Sequence, residues 1–189
     1  MRRTVCIETA RLRLRPYRDD DVDALHRLWT VPAVRRYLWD DEVIDRATAA
    51  AAVRASIACA DTHGFGQWAM RPLASDDVIG FCGFRWLDGS ADVELLYGLA
   101  PALWGRGLVA EASRAVLRFG FEEIGFARVL AISDADNHAS IAVMRRLGMT
   151  LENRFTHAGR EHVRCVLVRD AFRPHDEPYV MRRTNDGER

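Results

Sequence analysis

Lysine is absent from the sequence: the 27 basic residues among its 189 are all arginine. This absence excludes lysine as a general base and as the amine of a Schiff base. The arginines are balanced by 27 acidic residues, so the formal net charge is zero. A neutral chain argues against a broad surface for nucleic acid or for an anionic membrane, and we expect neither among its partners.

Cysteine is scarce and has no pairing pattern. The four cysteines are Cys6, Cys59, Cys82 and Cys165, and no two of them form a Cys-x-x-Cys pair. The histidines show no metal-ligand spacing, so the sequence predicts no metal site and buried free thiols. The N-terminus carries no apolar signal segment, and no apolar run is long enough to span a membrane. We therefore expect a reduced, cytoplasmic setting.

A strand, a glycine loop and a helix follow one another between residues 93 and 119. An apolar run ends at Pro101, Gly105 and Gly107 stand two apart, and apolar residues then recur at helical spacing. The unpaired amides and positive dipole of such a helix N-terminus favour a phosphate. The loop lacks the Lys-Ser/Thr of a P-loop and the third glycine of a dinucleotide fingerprint. A simple tight turn is the alternative explanation.

A second stretch supports the phosphate interpretation. Asn137-x-x-Ser140 and Leu147-Gly148-Met149 follow a predicted strand at 128–133. Together with residues 94–101 and 104–112, this stretch resembles the GNAT superfamily of N-acetyltransferases. The Trp-Gly form of the loop and the opening residues 8–16 resemble its RimJ/RimL type. The resemblance runs from about residue 8 to residue 172.

The periodicities predict a single α/β domain with a mixed sheet. Predicted strands lie at 11–15, 67–73, 78–87, 91–99, 128–133, 149–156 and 162–170, with helices between them. The resemblance implies a GNAT-like fold, in which a mixed central sheet of about seven strands is flanked by helices and two central parallel strands splay apart. We expect the domain to span 1–172 and a polar C-terminal tail to span 173–189, with a mobile end.

The resemblance also implies a site for acetyl-CoA as cosubstrate. Its pantetheine arm would lie between splayed strands 91–99 and 128–133, against main-chain groups of Tyr97 and Leu99. Gly98 would permit a bulge there, or would simply allow close packing. The pyrophosphate would bind Trp104, Gly105, Arg106, Gly107, Leu108, Val109 and Ala110. Arg106 could add charge or point to solvent. Val109 departs from the Gly or Ala usual in the family and would crowd this site.

Catalysis would need a base for the amine, a donor for the oxyanion and an acid for the thiolate. The strand amide at Tyr97 or Leu99 suits the oxyanion. By resemblance, Asn137 binds pantetheine and Ser140 is the candidate acid, although Asn137 could equally cap a helix. Glu94 is favoured as the base over Glu161, and an α-amine could manage with a water chain. Both glutamates could instead be ordinary exposed charges.

Two further positions bear on the family comparison and the acceptor. Cys165 stands where relatives commonly carry tyrosine, and we interpret it as buried packing rather than as a nucleophile. Tyr37 and Trp39 could line an acceptor pocket, or Trp39 could complete the core. Three carboxylates next to them, Asp40, Asp41 and Glu42, could attract a cationic amine or remain solvated.

The sequence therefore predicts an N-acetyltransferase that moves an acetyl group from acetyl-CoA to a primary amine by direct attack on the thioester. The acceptor is a protein N-terminal amine or a small-molecule amine. The alternatives are a non-catalytic acyl-CoA-binding or regulatory GNAT-like domain and an unrelated nucleotide-binding α/β protein. Fold analogy names no acceptor. A homodimer, common among relatives, is left open.

Overall fold

The computed structural model describes residues 3–87, 90–174 and 178–185, so most of the predicted turn at 88–90 and the end of the predicted tail lie outside the described residues. The strands are β1 Arg3–Glu8, β2 Leu12–Pro16, β3 Gln67–Pro72, β4 Gly80–Trp86, β5 Val93–Leu99, β6 Arg128–Asp134, β7 Thr150–His157, β8 Arg160–Val168 and β9 Val180–Asn185. The α-helices are α1 Val22–Trp29, α2 Pro32–Arg35, α3 Arg46–His63, α4 Leu108–Phe119 and α5 His138–Arg146. Every strand predicted from the sequence is present, within a few residues at each end, and helices lie between strands as predicted.

One mixed sheet joins all the described strands in the order β7-β8-β6-β5-β4-β3-β2-β1-β9. It has nine strands rather than the predicted seven or so, because β1 and β9 form an additional antiparallel pair. The predicted polar tail therefore contributes an edge strand. Its polar sequence concealed that strand because edge strands are only partly covered and do not need an apolar face.

The two central parallel strands splay apart as predicted. β5 pairs with β4 along its whole length, and β6 pairs with β8 along its whole length. Between β5 and β6, however, the described register contains only Glu94 opposite Leu130. These residues lie near the N-terminal ends of the strands, so the gap opens toward the C-terminal ends.

The core lies in two clusters, one on each face of the sheet. α4 packs on one face through Ala112, Val116 and Phe119, in keeping with its helical periodicity. α1 and α3 cover the other face. Alternation along β5 sends Val93, Leu95 and Leu99 to the α4 face and Leu96 to the α1/α3 face. The α4 face therefore carries the glycine loop, and the opposite face carries the helices next to the predicted acceptor loop.

The bulge predicted at Gly98 is wrong. Gly98 pairs with Phe81 in an uninterrupted β4–β5 register. A Cβ atom added at Gly98 would lie 2.7 Å from Cζ of the Phe81 ring, so close packing explains the glycine.

The part of the chain that the structure describes contains no helix with the length and the apolar character that a membrane span requires.

Candidate active site

The glycine loop leads into an uncapped helix N-terminus. Gly105 and Gly107 both have φ near +76°, a left-handed conformation that L side chains rarely adopt. Gly107 is the N-cap of α4 and has no side chain with which to cap it. By contrast, Asp45 caps α3 and Asn137 caps α5. The first-turn amides of α4 thus face an exposed loop, as a phosphate site requires. The residues present therefore fit the pyrophosphate of acetyl-CoA.

The other loop residues are divided between the core and solvent. The half-exposed Trp104 donates its indole N–H to the main-chain oxygen of Leu99 at 2.7 Å, so this oxygen already has a partner. Arg106 is exposed, and its guanidinium donates to the main-chain oxygen of Ala102 at 3.4 Å. The side chains of Leu108 and Ala110 are buried, and Val109 is half-buried against the core.

A buried carboxylate lies behind this loop. Glu111, in the first part of α4, accepts hydrogen bonds from the Thr9 hydroxyl at 2.6 Å and from Arg11 Nε at 2.6 Å. The Arg11 main-chain N–H also donates to it, at 2.9 Å. Arg11 Nη1 donates to the main-chain oxygen of Arg106 at 2.9 Å. The segment between β1 and β2 is therefore bonded both to the loop and to the helix.

Tyr97 and Ser140 meet across the gap. The Tyr97 hydroxyl lies 2.9 Å from Ser140 Oγ and 3.2 Å from the Ser140 main-chain oxygen. Burial raises the pKa of Tyr97, while the bond to Ser140 opposes that shift. Asn137 Oδ1 accepts from the Ser140 N–H at 3.1 Å, which confirms the helix-cap alternative. This cap uses Asn137 Oδ1 and not Nδ2, and it fixes the start of α5, where Ser140 lies.

Glu94 lies where the two strands begin to separate. It is 3% exposed, and Arg85 Nε on the neighbouring strand donates to its carboxylate at 2.7 Å. Strand alternation places Glu94 on the face opposite Tyr97. The predicted exposed-strand alternative for Glu94 is wrong, because this carboxylate is buried.

Glu161 lies at a different place from Glu94. It is on the β7–β8 hairpin with its side chain 59% exposed, 3.3 Å from Arg154. Asp134 on β6 is opposite His162, the residue after Glu161 on β8. Leu130, which is the β6 residue opposite Glu94, lies four residues from Asp134, or roughly 13 Å along the strand. An open cleft of about 460 Å³ lies at this mouth of the gap, lined by Asp134, Ala135, Asp136, His138, Arg154, Arg160 and Glu161. The two predicted carboxylates therefore occupy opposite ends of the gap.

The two residues predicted to line an acceptor pocket, Tyr37 and Trp39, have different surroundings. Tyr37 lies next to an arginine of this cleft, and Trp39 packs against the core. The guanidinium groups of Arg36 and Arg160 lie over the Tyr37 ring, 5.2 and 5.9 Å from its centre. Arg160 also donates to the Arg36 main-chain oxygen at 3.0 Å and pairs with Asp134. Tyr37 is thus held next to the cleft.

Trp39 packs toward the core. Its ring lies 5.7 Å from that of Trp29 and contacts the α1/α3 cluster, in agreement with the core alternative. It begins a turn, Trp39–Asp41, in which all three residues have positive φ. Arg35 pairs with Asp41 in this turn at 2.8 Å, and Asp40, Asp41 and Glu42 are all exposed.

The cysteines are free thiols, and Cys82 and Cys165 are buried. Burial raises the pKa of Cys165 and raises that of Cys82 to about 12. A protonated thiol is a poor nucleophile, which supports packing roles for both. Within the described ranges, no group of three or more histidine, cysteine or carboxylate side chains could hold a metal ion.

Several residues at the site were not assigned by sequence reasoning. Arg11, Thr9 and Glu111 lie in stretches that carry the family resemblance, but their contact spans about a hundred residues of chain. Asp134 and Arg160 have no motif that marks them. The motifs at residues 8–16 and 104–112, which contain Thr9, Arg11 and Glu111, offered the signals that could have been followed.

Comparison with known proteins agrees with this geometry. Residues 11–150 match the acetyltransferase (GNAT) domain family. An uncharacterised N-acetyltransferase, p20 of Bacillus licheniformis, is 27% identical over 76% of this chain and 82% of its own length. A GNAT-family acetyltransferase from Bacillus anthracis has a similar structure, with a TM-score of 0.75 and 20% identity, over 87% of this chain and 99% of that chain. RimL, described as a ribosomal L7/L12 α-N-protein acetyltransferase in complex with coenzyme A, aligns with a TM-score of 0.71 and 22% identity, over 86% and 97%. These two structures establish likeness of fold.

Proposed function

The chain belongs to the acetyltransferase (GNAT) family, and on that premise we propose that it transfers an acetyl group from acetyl-CoA to a primary amine. The observation that supports this proposal most strongly is the gap between β5 and β6, which opens toward the uncapped helix of the glycine loop. The gap can take an extended arm as an added strand, and the loop can take the phosphates.

Acid and base roles are divided between the two faces of the sheet. We assign Glu94 as the base, on the α1/α3 face, and Ser140 as the acid, on the α4/α5 face next to Tyr97. An amine that arrives on one face can then lose its proton to a carboxylate, while the thiolate leaves toward a hydroxyl on the other. The amide of Tyr97, on β5 between these groups, is our candidate donor to the oxyanion.

The acceptor would enter through the charged cleft at the mouth of the gap. Its exposed carboxylates, Asp136 and Glu161, lie 3.5 and 3.3 Å from the guanidinium groups of Arg36 and Arg154. Six of its seven lining residues are charged or polar, Ala135 being the exception, so a polar primary amine suits it better than an aromatic one. A protein N-terminal amine and a small polar amine both meet this requirement.

We propose that the chain is of the RimJ/RimL-like type, which the Trp104 form of the loop supports. We also propose a cytoplasmic location.

The test is release of CoA thiol from acetyl-CoA in the presence of small amines and of peptides with free N-termini. We expect amine-dependent release, and we expect Glu94→Gln to lower kcat about 100-fold through loss of the base. Glu161→Gln should lower kcat less, because this carboxylate lies at the mouth. The control is Glu152→Gln, an exposed carboxylate on β7 that, like Glu94, pairs with an arginine, here Arg128.

The outcomes separate the alternatives. Acetyl-CoA binding without release for every amine would favour the non-catalytic acyl-CoA-binding domain. Equal losses in the Glu94 and Glu152 variants would contradict the assignment of Glu94. A loss confined to Glu161→Gln would move the base to the hairpin.

A further inference from the structure

The segment between β1 and β2 is bonded to the glycine loop by side chains that the proposed reaction does not use. Arg11 makes one contact to the loop, from Nη1 to the Arg106 oxygen, and three to Glu111, through its main-chain N–H, Nε and Nη2. Thr9 adds a fourth contact to the same carboxylate. Bonds to ionised groups are the strong ones, and the fork of a guanidinium can hold two acceptors at once.

Glu111 lies close to the helix N-terminus where a phosphate would bind, so its contacts with Arg11 and Thr9 affect the binding of an anion there. Glu111 is 7% exposed, and its N–H bonds the Gly107 oxygen, so the carboxylate lies within one turn of the helix start. An unpaired carboxylate there would repel a phosphate and would be costly to bury. Arg11 supplies the compensating charge, and its Nη2 lies 3.7 Å from where a Cβ of Gly107 would be.

We propose that Arg11 is a positioning residue for the pyrophosphate of CoA, because it fixes the Arg106 carbonyl and neutralises Glu111 at the start of α4. The proposal rests on the proposed function, since it assumes that the loop binds acetyl-CoA. It gives residues 8–16 a role in ligand binding as well as in the fold. Arg11 itself need not touch the ligand.

The test compares two ligands that share the pantetheine arm, of which only CoA carries the pyrophosphate with its 3′-phosphoadenosine. Calorimetric titration with CoA and with pantetheine, which lacks the pyrophosphate, is carried out on the wild type and on Arg11→Gln. We expect Arg11→Gln to weaken CoA binding about tenfold, while pantetheine binding changes less than about twofold. The matched control is Arg13→Gln, which removes an arginine–glutamate pair between Arg13 on β2 and Glu8 on β1, at 2.9 Å, that includes neither the loop nor Glu111.

A second variant keeps the test informative if Arg11→Gln folds poorly. Arg11→Lys retains a charge for Glu111 but cannot hold Arg106 and Glu111 together, so it should show a smaller loss that is still confined to CoA. An equal loss for CoA and pantetheine, or an unchanged affinity for CoA, would overturn the proposal. If the wild type itself fails to bind CoA, the proposed function fails instead.

Discussion

At the scale of single side chains, the contact between Tyr97 and Ser140 decides how the proposed acid is oriented. One arrangement has Tyr97 donating to the Ser140 main-chain oxygen, so that it accepts the Ser140 hydroxyl hydrogen. In the other, Tyr97 donates to Oγ and leaves that hydrogen available for the departing sulfur. Because burial raises the pKa of Tyr97, its hydroxyl remains a donor throughout the neutral range.

We predict that Tyr97→Phe lowers kcat about tenfold, the loss expected for one hydrogen bond, while KM for acetyl-CoA stays within about twofold. The effect should not add to that of Ser140→Ala, because both act on one proton. Steady-state kinetics of the two single variants and the double variant measure this. Tyr17→Phe is the control, since the buried Tyr17 hydroxyl has no hydrogen-bond partner among the described residues. Fully additive losses would refute the coupling.

Sequence motifs identified Tyr97, Asn137 and Ser140 but not the contact between the first and the last. Spacing along the chain reports which residues share an element, and Tyr97 and Ser140 lie on different elements. The same reason concealed the pair of Arg11 and Glu111, which only the packing of α4 against the β1–β2 segment brings together.

At the scale of secondary-structure elements, the gap depends on a rigid β4–β5 pair. β5 has one register partner on β6, so β4 holds it in place along the open part of the gap. Gly98 matters because the Phe81 ring from β4 fills the space where its Cβ would lie. Phe81 in turn contacts Trp29 of α1, with ring centres 5.9 Å apart.

We predict that Gly98→Ala destabilises the fold by about 1–3 kcal/mol, the usual cost of forcing extra volume into a packed core. Urea unfolding measures the change. Combining it with Phe81→Leu should recover part of the loss, once the cost of Phe81→Leu alone is subtracted. A Gly98→Ala protein as stable as the wild type would show that the ring moves aside freely.

Helical periodicity predicted α4 and α5 well because each has one apolar face and a clear end. Strand β9 was missed for the opposite reason. Its sequence, Val-Met-Arg-Arg-Thr-Asn, is mostly polar, and its partner β1 lies at the other end of the chain. Pairing between strands at opposite ends of the chain leaves no signal in the local sequence. The local sequence also did not show whether Gly98 allows close packing or forms a bulge.

At the scale of the whole molecule, several buried weak acids stay protonated on folding. Burial raises the pKa of Cys82 from its ordinary 9.0 to about 12, and it also raises that of Tyr17. An unfolded thiol loses its proton near pH 9, whereas the buried thiol holds it, so rising pH favours the unfolded chain. The contribution is complete below pH 9 and is lost as the pH rises toward about 12.

We therefore predict that the free energy of unfolding falls as the pH is raised from 9 toward 12, and that Cys82→Ala makes this fall shallower. Urea titrations at stepped pH measure the slope. Cys59→Ala, at a partly exposed thiol, is the control and should change the slope less. An identical slope in the wild type and in Cys82→Ala would be evidence against a buried, protonated Cys82.

The binding of acetyl-CoA by the whole chain tests the central claim most directly. Calorimetric titration should give saturable binding of one acetyl-CoA per chain, and addition of an accepted amine should then release thiol. This result would establish the gap and its glycine loop as the donor site of a transferase. No binding of acetyl-CoA would contradict the account, and it would mean that Val109 closes the loop to phosphate or that the gap between β5 and β6 serves another ligand.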